Sequence, residues 1–282
     1  PWLLCNEVGV MTQVYSRPEG IARASVLATV KEAWRMRRVW WFTATARTRA
    51  RFVRTYFGSF WLGLSNLFSV GVLSAVYGTV FKVQDFQTYV VYLGLGLVVW
   101  NTIAAAISSA PNLFEYNHSH VHNTNLNPVF YTLEEWSFQL QTFLMSFLLV
   151  VGVLSFFQPS LIPYLFIAWL PIFNLLLFLY WFPVLICLLG TRFRDLYQLV
   201  PVALQLIFLL SPILYQKKTL GAMQWAADFN PLYRVLSPVR HTLMTGEVVW
   251  SQNVLILLFN VLGIWFAIRL INRERPNLPF LI

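Results

Sequence analysis

The chain has 282 residues, of which 58% are hydrophobic and only 11% charged, and its formal net charge is +9. A soluble domain usually carries about a quarter charged residues, so water is not the main solvent of this protein. Ten of the twenty Lys and Arg residues fall between Arg17 and Arg54, beside long apolar runs, which points to anionic lipid headgroups and membrane topology rather than nucleic acid.

The first 28 residues read as an N-terminal tail. Residues 29–57 read as an amphipathic helix in the cytoplasmic interface. Ala46, Ala50, Val53 and Phe57 recur at helical spacing, with Arg47, Arg51 and Arg54 beside them. Trp34, Trp40 and Trp41 suit the headgroup region.

Charges then punctuate the remainder, residues 58–282, and mark out spans of about 20 residues. No charge occurs between Arg54 and Lys82, or between Asp85 and Glu115. The uncharged run from Glu135 to Arg192 is about twice the length of one span, so it must reverse. Gln158-Pro159-Ser160 with Pro163 is the natural corner. Two further runs lie between Asp195 and Lys217 and between Glu247 and Arg269. The predicted spans are Ser59–Phe81, Thr88–Ala110, Trp136–Phe157, Ile162–Leu189, Tyr197–Tyr215 and Asn253–Ile271. The fold class is therefore all-α integral membrane with six transmembrane helices, because open strands would leave unpaired backbone groups in hydrocarbon. The segment Gln216–Gln252 is too long for a turn and too interrupted for a span. It reads as two short re-entrant helices broken at Asn230-Pro231, half-buried at the outer face.

With the N-terminus inside, fifteen Lys and Arg residues are cytoplasmic and five are outside, so both termini are expected in the cytoplasm.

Enzyme signatures are missing. The sequence contains no Walker A pattern, no G-x-S-x-G elbow and no H-E-x-x-H. No acidic residue falls within the predicted spans, which argues against proton or ion coupling. Glu115, His118, His120 and His122 have metal-like residue types, but the Asn-rich segment around them reads better as a polar cytoplasmic loop that touches a partner. No metal site is expected. Cys5 and Cys187 do not form a disulfide framework. Arg192-Phe193-Arg194-Asp195 reads as a short cytoplasmic connection, with Asp195 capping the next helix and the two Arg facing a partner or acidic lipid groups. Aromatic residues form 17% of the chain. Most suit interfacial belts, and sugar rings also stack on such faces.

Several of these motifs, in order along the chain, resemble the permease subunit of ABC-2 type exporters, in particular those that move O-antigen, capsule or teichoic acid polymers. Arg54 through Tyr56, Phe60 and Trp61 is similar to that family's entry to its first span. The loop from Asn112 through Glu115 and Asn117 to Pro128 is similar to its first cytoplasmic loop. Arg192-Phe193-Arg194-Asp195-Leu196, Ser211-Pro212-Ile213, Asn230-Pro231-Leu232, Arg240 and Gly246 follow in the family's order. The resemblance implies a permease homodimer with two separate ABC ATPase subunits. ATP and Mg would bind those partners, and this chain would carry no cofactor and no catalytic residue. It further implies a lipid-linked polysaccharide as cargo, moved across a bacterial inner membrane. By the same resemblance, Glu115, Asn117, His118, His122, Arg192, Arg194 and Asp195 would couple to the ATPase. Arg47, Arg51 and Arg54 would meet the pyrophosphate of the carrier lipid. Tyr56, Phe60, Trp61, Phe68, Tyr77 and Trp100 would line the path, and Asn230, Pro231 and Arg240 would belong to an outer gate. An ABC-2 exporter of drugs or small lipids is the alternative within the same fold. A membrane transferase using Glu134, Glu135 and His241 is the alternative outside it.

Overall fold

In a computed structural model the chain is described over residues 25–117 and 127–278. The secondary structure of the described residues is helical, without strands. Among the described residues five helices are long and apolar enough to cross a membrane. They are α3 (Trp61–Val80, entered through a 3-10 turn at Gly58–Phe60), α4 (Phe86–Ser109), α6 (Val129–Leu154), α8 (Trp169–Gly190) and α12 (Trp250–Glu274). Before them stand α1 (Val26–Arg35) and α2 (Arg37–Arg51), and the four-residue α5 (Leu113–Tyr116) follows α4. The shorter elements α7 (Leu161–Ile167), α9 (Leu196–Leu210), α10 (Gln224–Phe229) and α11 (Pro231–Thr245) complete the order.

The helices arrange around α4. Its apolar window is 78% buried, against 17% for α3. Leu93, Leu95, Val98, Val99 and Ile103 on α4 are sealed among neighbours. By contrast Phe68, Val72, Val76 and Val80 on α3 are exposed, as are Leu255, Leu258, Leu262 and Phe266 on α12. Apolar side chains facing outward in such runs belong in lipid rather than water. Asp85 caps α4, accepting from the Thr88 hydroxyl at 2.6 Å and the Thr88 N–H at 3.1 Å. These bonds hold its carboxyl below the usual carboxylate range.

Four boundaries differ from the sequence expectation, each for a physical reason. The interface helix is two helices, broken at Met36, and it ends at Arg51. Its buried stripe is Trp40, Ala44 and Thr48, which pack on α6, while Ala46, Ala50, Val53 and Phe57 are exposed. The third span begins at Val129 rather than Trp136, because Glu135 is neutralised by an ion pair and does not mark a water boundary. The fourth breaks at Ala168 into α7 and α8. The fifth stops at Leu210, where Ser211 turns extended ahead of Pro212. At about 22 Å, α9 is shorter than the ~30 Å hydrocarbon core.

Polar side chains lock the bundle where hydrophobic contact alone gives no preference over lipid. Asn174 on α8 donates to the Asn253 carbonyl at 2.9 Å, and Asn260 donates back to the Asn174 carbonyl at 2.9 Å. The Trp181 indole donates to Asn260 Oδ1 at 2.9 Å. Asn260→Leu strands two of these buried partners and is expected to cost about 2 kcal/mol, read as a lower melting temperature of the detergent-purified chain. At the other end, Thr29 of α1 exchanges hydrogen bonds with Asn272 of α12. Gly246 closes α11 at φ +76°, and a Cβ there would meet the Tyr164 ring at 2.6 Å.

Candidate translocation cavity

A cavity of about 780 Å3 opens between α2, α3, α4 and α6. Twelve of its sixteen lining residues are polar or charged although they lie largely on apolar helices, and Leu62, Ala105, Phe138 and Phe143 supply the rest. Ser65 and Asn66 come from α3; Asn101, Thr102, Ser108 and Ser109 come from α4; Gln139, Thr142 and Ser146 come from α6. Glu135, Gln139, Thr142 and Ser146 share one face of α6 because they recur at helical spacing. A hydrogen-bonded ladder crosses the cavity wall. Asn101 donates to Asn66 Oδ1 at 2.6 Å, and Asn66 donates to Ser146 Oγ at 2.7 Å.

One end of the cavity carries the charge. Arg47 of α2 donates to Glu135 Oε2 at 2.6 Å, and its guanidinium lies 4.2 Å from the centre of the Phe138 ring. Glu135 is buried, and its second oxygen accepts from Gln139 at 2.9 Å and Ser109 at 3.1 Å. Arg51, one turn further on, also lines the cavity. Arg54 does not line it; it sits in the turn after α2, at φ +68°. A smaller pocket of about 380 Å3 between α4 and α9 shares Asn101, Ala105 and Ser108 with the first, so the polar face of α4 serves both.

The path aromatics distribute differently. Trp100 is buried, lines the smaller pocket and packs 5.6 Å from Phe208. Tyr56, Phe60, Trp61 and Phe68 are exposed and Tyr77 is half-buried, and none of the five lines the large cavity. Phe57 stacks on Trp61 at 6.1 Å, forming an aromatic cluster at the entry to α3.

Around Arg240 the backbone is irregular yet buried. Irregular backbone at membrane depth needs protein partners for its carbonyls. Tyr89 donates to the Leu214 carbonyl at 2.7 Å, Tyr92 donates to Pro212 at 2.9 Å, and Arg240 donates to Pro212 at 3.1 Å. The Arg240 guanidinium lies 3.9 Å from the Tyr92 ring centre. Asn230 caps α11 by accepting from the Leu232 N–H at 3.0 Å, and its amide donates to Ser211 Oγ at 2.7 Å. Pro231 occupies the first turn of α11, where its missing N–H costs nothing. The sequence therefore breaks at Asn230-Pro231 as expected, and Asn230 and Arg240 both tie back to the Ser211–Pro212 turn.

At the far end of the molecule, the Glu115 carboxylate faces the Tyr197 hydroxyl at the start of α9. This brings the loop after α4 against the Arg192–Asp195 connection. Arg192 pairs with Glu274 of α12 at 2.7 Å. Arg194 and Asp195 are exposed, and Asp195 stands at the N-cap of α9 without a capping side-chain bond. Asn117 donates to the Leu113 carbonyl at 2.8 Å. His118 and His122 lie outside the described residues. Among the described residues no cluster of three potential metal ligands occurs.

A family model for ABC-2 type transporters matches residues 41–244, from α2 through α11. The chain belongs to the ABC-2 type transporter family. This permease is also similar to the O-antigen export system permease protein RfbA of Klebsiella pneumoniae, at 25% identity over 210 residues, covering 70% of this chain and 77% of that protein. The permease is a multi-pass membrane subunit of an exporter, and the matched region holds every residue described as lining the large cavity.

The cavity is not visible from charges within the spans, because most of its lining is uncharged and Glu135 stands where the sequence suggests a boundary. The signal was present in uncharged form, as amides and hydroxyls repeating every three or four residues on α4 and α6.

Proposed function

We propose that the permease passes a lipid-linked polysaccharide of the O-antigen type outward across a bacterial inner membrane, as one half of a homodimer with two ABC ATPase subunits. The observation that carries this reading is the band of amides and hydroxyls that α3, α4 and α6 turn into the large cavity beside its Arg47–Glu135 end. Its amides and hydroxyls offer donors and acceptors that match sugar hydroxyls, and no single contact is strong enough to hold a sliding chain. Arg47 and Arg51 stand at one end, where the carrier lipid's diphosphate would lie on the cytoplasmic side. The similarity to an O-antigen export permease supports the same cargo. In the transferase reading Glu135 would have to be free for proton transfer, whereas it is held by three donors, and His241 is not among the cavity residues.

Glu115, Asn117, His118, His122, Arg192, Arg194 and Asp195 are proposed to form the ATPase-facing surface. Both termini are proposed to be cytoplasmic, in keeping with the Arg-rich α1 and α2. The test is reconstitution with a partner ABC ATPase. Lipid-linked polysaccharide is expected to stimulate ATP hydrolysis, and Arg47→Ala with Arg51→Ala to remove about nine-tenths of that stimulation. Stimulation by a hydrophobic drug and indifference to the polysaccharide would overturn the reading.

A further inference from the structure

We infer that Glu135 acts as a built-in counter-ion that makes the Arg47 end of the cavity selective for diphosphate-linked over monophosphate lipids. The inference rests on the anion role proposed above for Arg47 and Arg51. A bilayer is full of lipids with one phosphate, and a bare Arg pair at headgroup level would be occupied by them. Here Arg47 already has an anion, the Glu135 carboxylate at 2.6 Å. A single phosphate monoester or diester exchanges one anion for another and gains little. A diphosphate carries more charge and can bridge Arg47 to Arg51, one helical turn away on the same lining. Specificity then arises as a difference of affinities, with Glu135 supplying the repulsive element.

Two features make the exchange feasible. The Arg47 side chain is 47% exposed while that of Glu135 is 9% exposed, so the cation is reachable and the carboxylate stays behind. Gln139 and Ser109 continue to donate to Glu135 Oε1, so releasing Arg47 does not strand a buried carboxylate without partners. Phe138 packs under the guanidinium and restricts the directions from which a ligand reaches it.

The experiment uses the full chain in nanodiscs of phosphatidylcholine, with polyprenyl diphosphate and phosphatidylglycerol as probes and binding read by native mass spectrometry. The unaltered protein is expected to favour the diphosphate. Glu135→Gln should raise phosphatidylglycerol affinity about tenfold and narrow the ratio between the probes. Glu135→Asp, which keeps the charge, should retain the ratio. Gln139→Lys, which places a competing cation on Glu135 Oε1, reads the same shift independently of Glu135→Gln. Weaker diphosphate binding by Arg47→Ala together with an unchanged ratio in Glu135→Gln and Gln139→Lys would overturn the inference alone. Diphosphate binding that is indifferent to Arg47→Ala would overturn the anion site itself.

Discussion

Arg240→Met is expected to abolish export and to lower stability by about 3–4 kcal/mol, the sum of a lost charge-assisted hydrogen bond to a buried carbonyl and a lost desolvated cation–π contact. Arg240 is 4% exposed and serves the Pro212 carbonyl, the Tyr92 ring and, at 3.5 Å, the Tyr233 hydroxyl. It is the strut between α11 and the extended turn that ends α9. Without it, Pro212 keeps only its bond from Tyr92, and the turn loses its tie to α11. Arg240→Lys should recover only part of the loss, because an ammonium lacks the planar face that stacks on Tyr92. Thermal unfolding of the purified chain and an export assay with the partner ATPase separate the two effects. Unchanged melting of Arg240→Met would contradict this account of the turn.

Gly190→Val is expected to prevent accumulation of folded protein. A Cβ at Gly190 would lie 2.7 Å from both the Cα and the carbonyl oxygen of Pro111, and backbone cannot swing aside as a side chain can. Gly190→Ala should already cost about 3 kcal/mol, at the upper end of overpacking penalties. The close approach joins the C-terminal end of α8 to the link between α4 and α5. The same link carries Glu115 to Tyr197, so a shift at Gly190 also displaces the loop proposed to meet the ATPase. Size-exclusion profiles of tagged protein in detergent read the folding defect. For Gly190→Ala, the ATPase-binding defect should exceed what its stability loss explains.

The long helices were legible because lipid leaves a simple record in sequence. Uncharged stretches from Arg54 to Lys82, from Asp85 to Glu115 and from Glu135 to Arg192 mark where the chain enters and leaves hydrocarbon. That record fails where charges are paired inside the bundle. Glu135 belongs to α6, not to the loop before it, because Arg47 from 88 positions away neutralises it. No local pattern encodes that meeting. The breaks at Met36 and Ala168 were likewise hidden, since neither residue is a helix breaker. The turn at Ser211–Pro212 was visible as a motif, but its depth was not, since burial there depends on Tyr89, Tyr92 and Arg240 from distant parts of the chain. Of the candidate site, the family resemblance pointed to Arg47, Arg51 and Arg54, and the first two line the cavity. The amide ladder of Asn101, Asn66 and Ser146 was not foreseen, although its periodicity stands in the sequence.

The most direct test asks whether the large cavity is a watery path within the membrane. Cys5 and Cys187 are the only thiols in the chain, so replacing both with Ala gives a clean background. Single cysteines then go to Asn101 and Gln139, which line the cavity, and to Leu258, which is exposed on α12. A water-soluble maleimide is predicted to label Asn101→Cys and Gln139→Cys in native membranes and to spare Leu258→Cys, with lipid-linked polysaccharide protecting the first two. Equal silence at all three positions, or labelling of Leu258→Cys alone, would contradict the account.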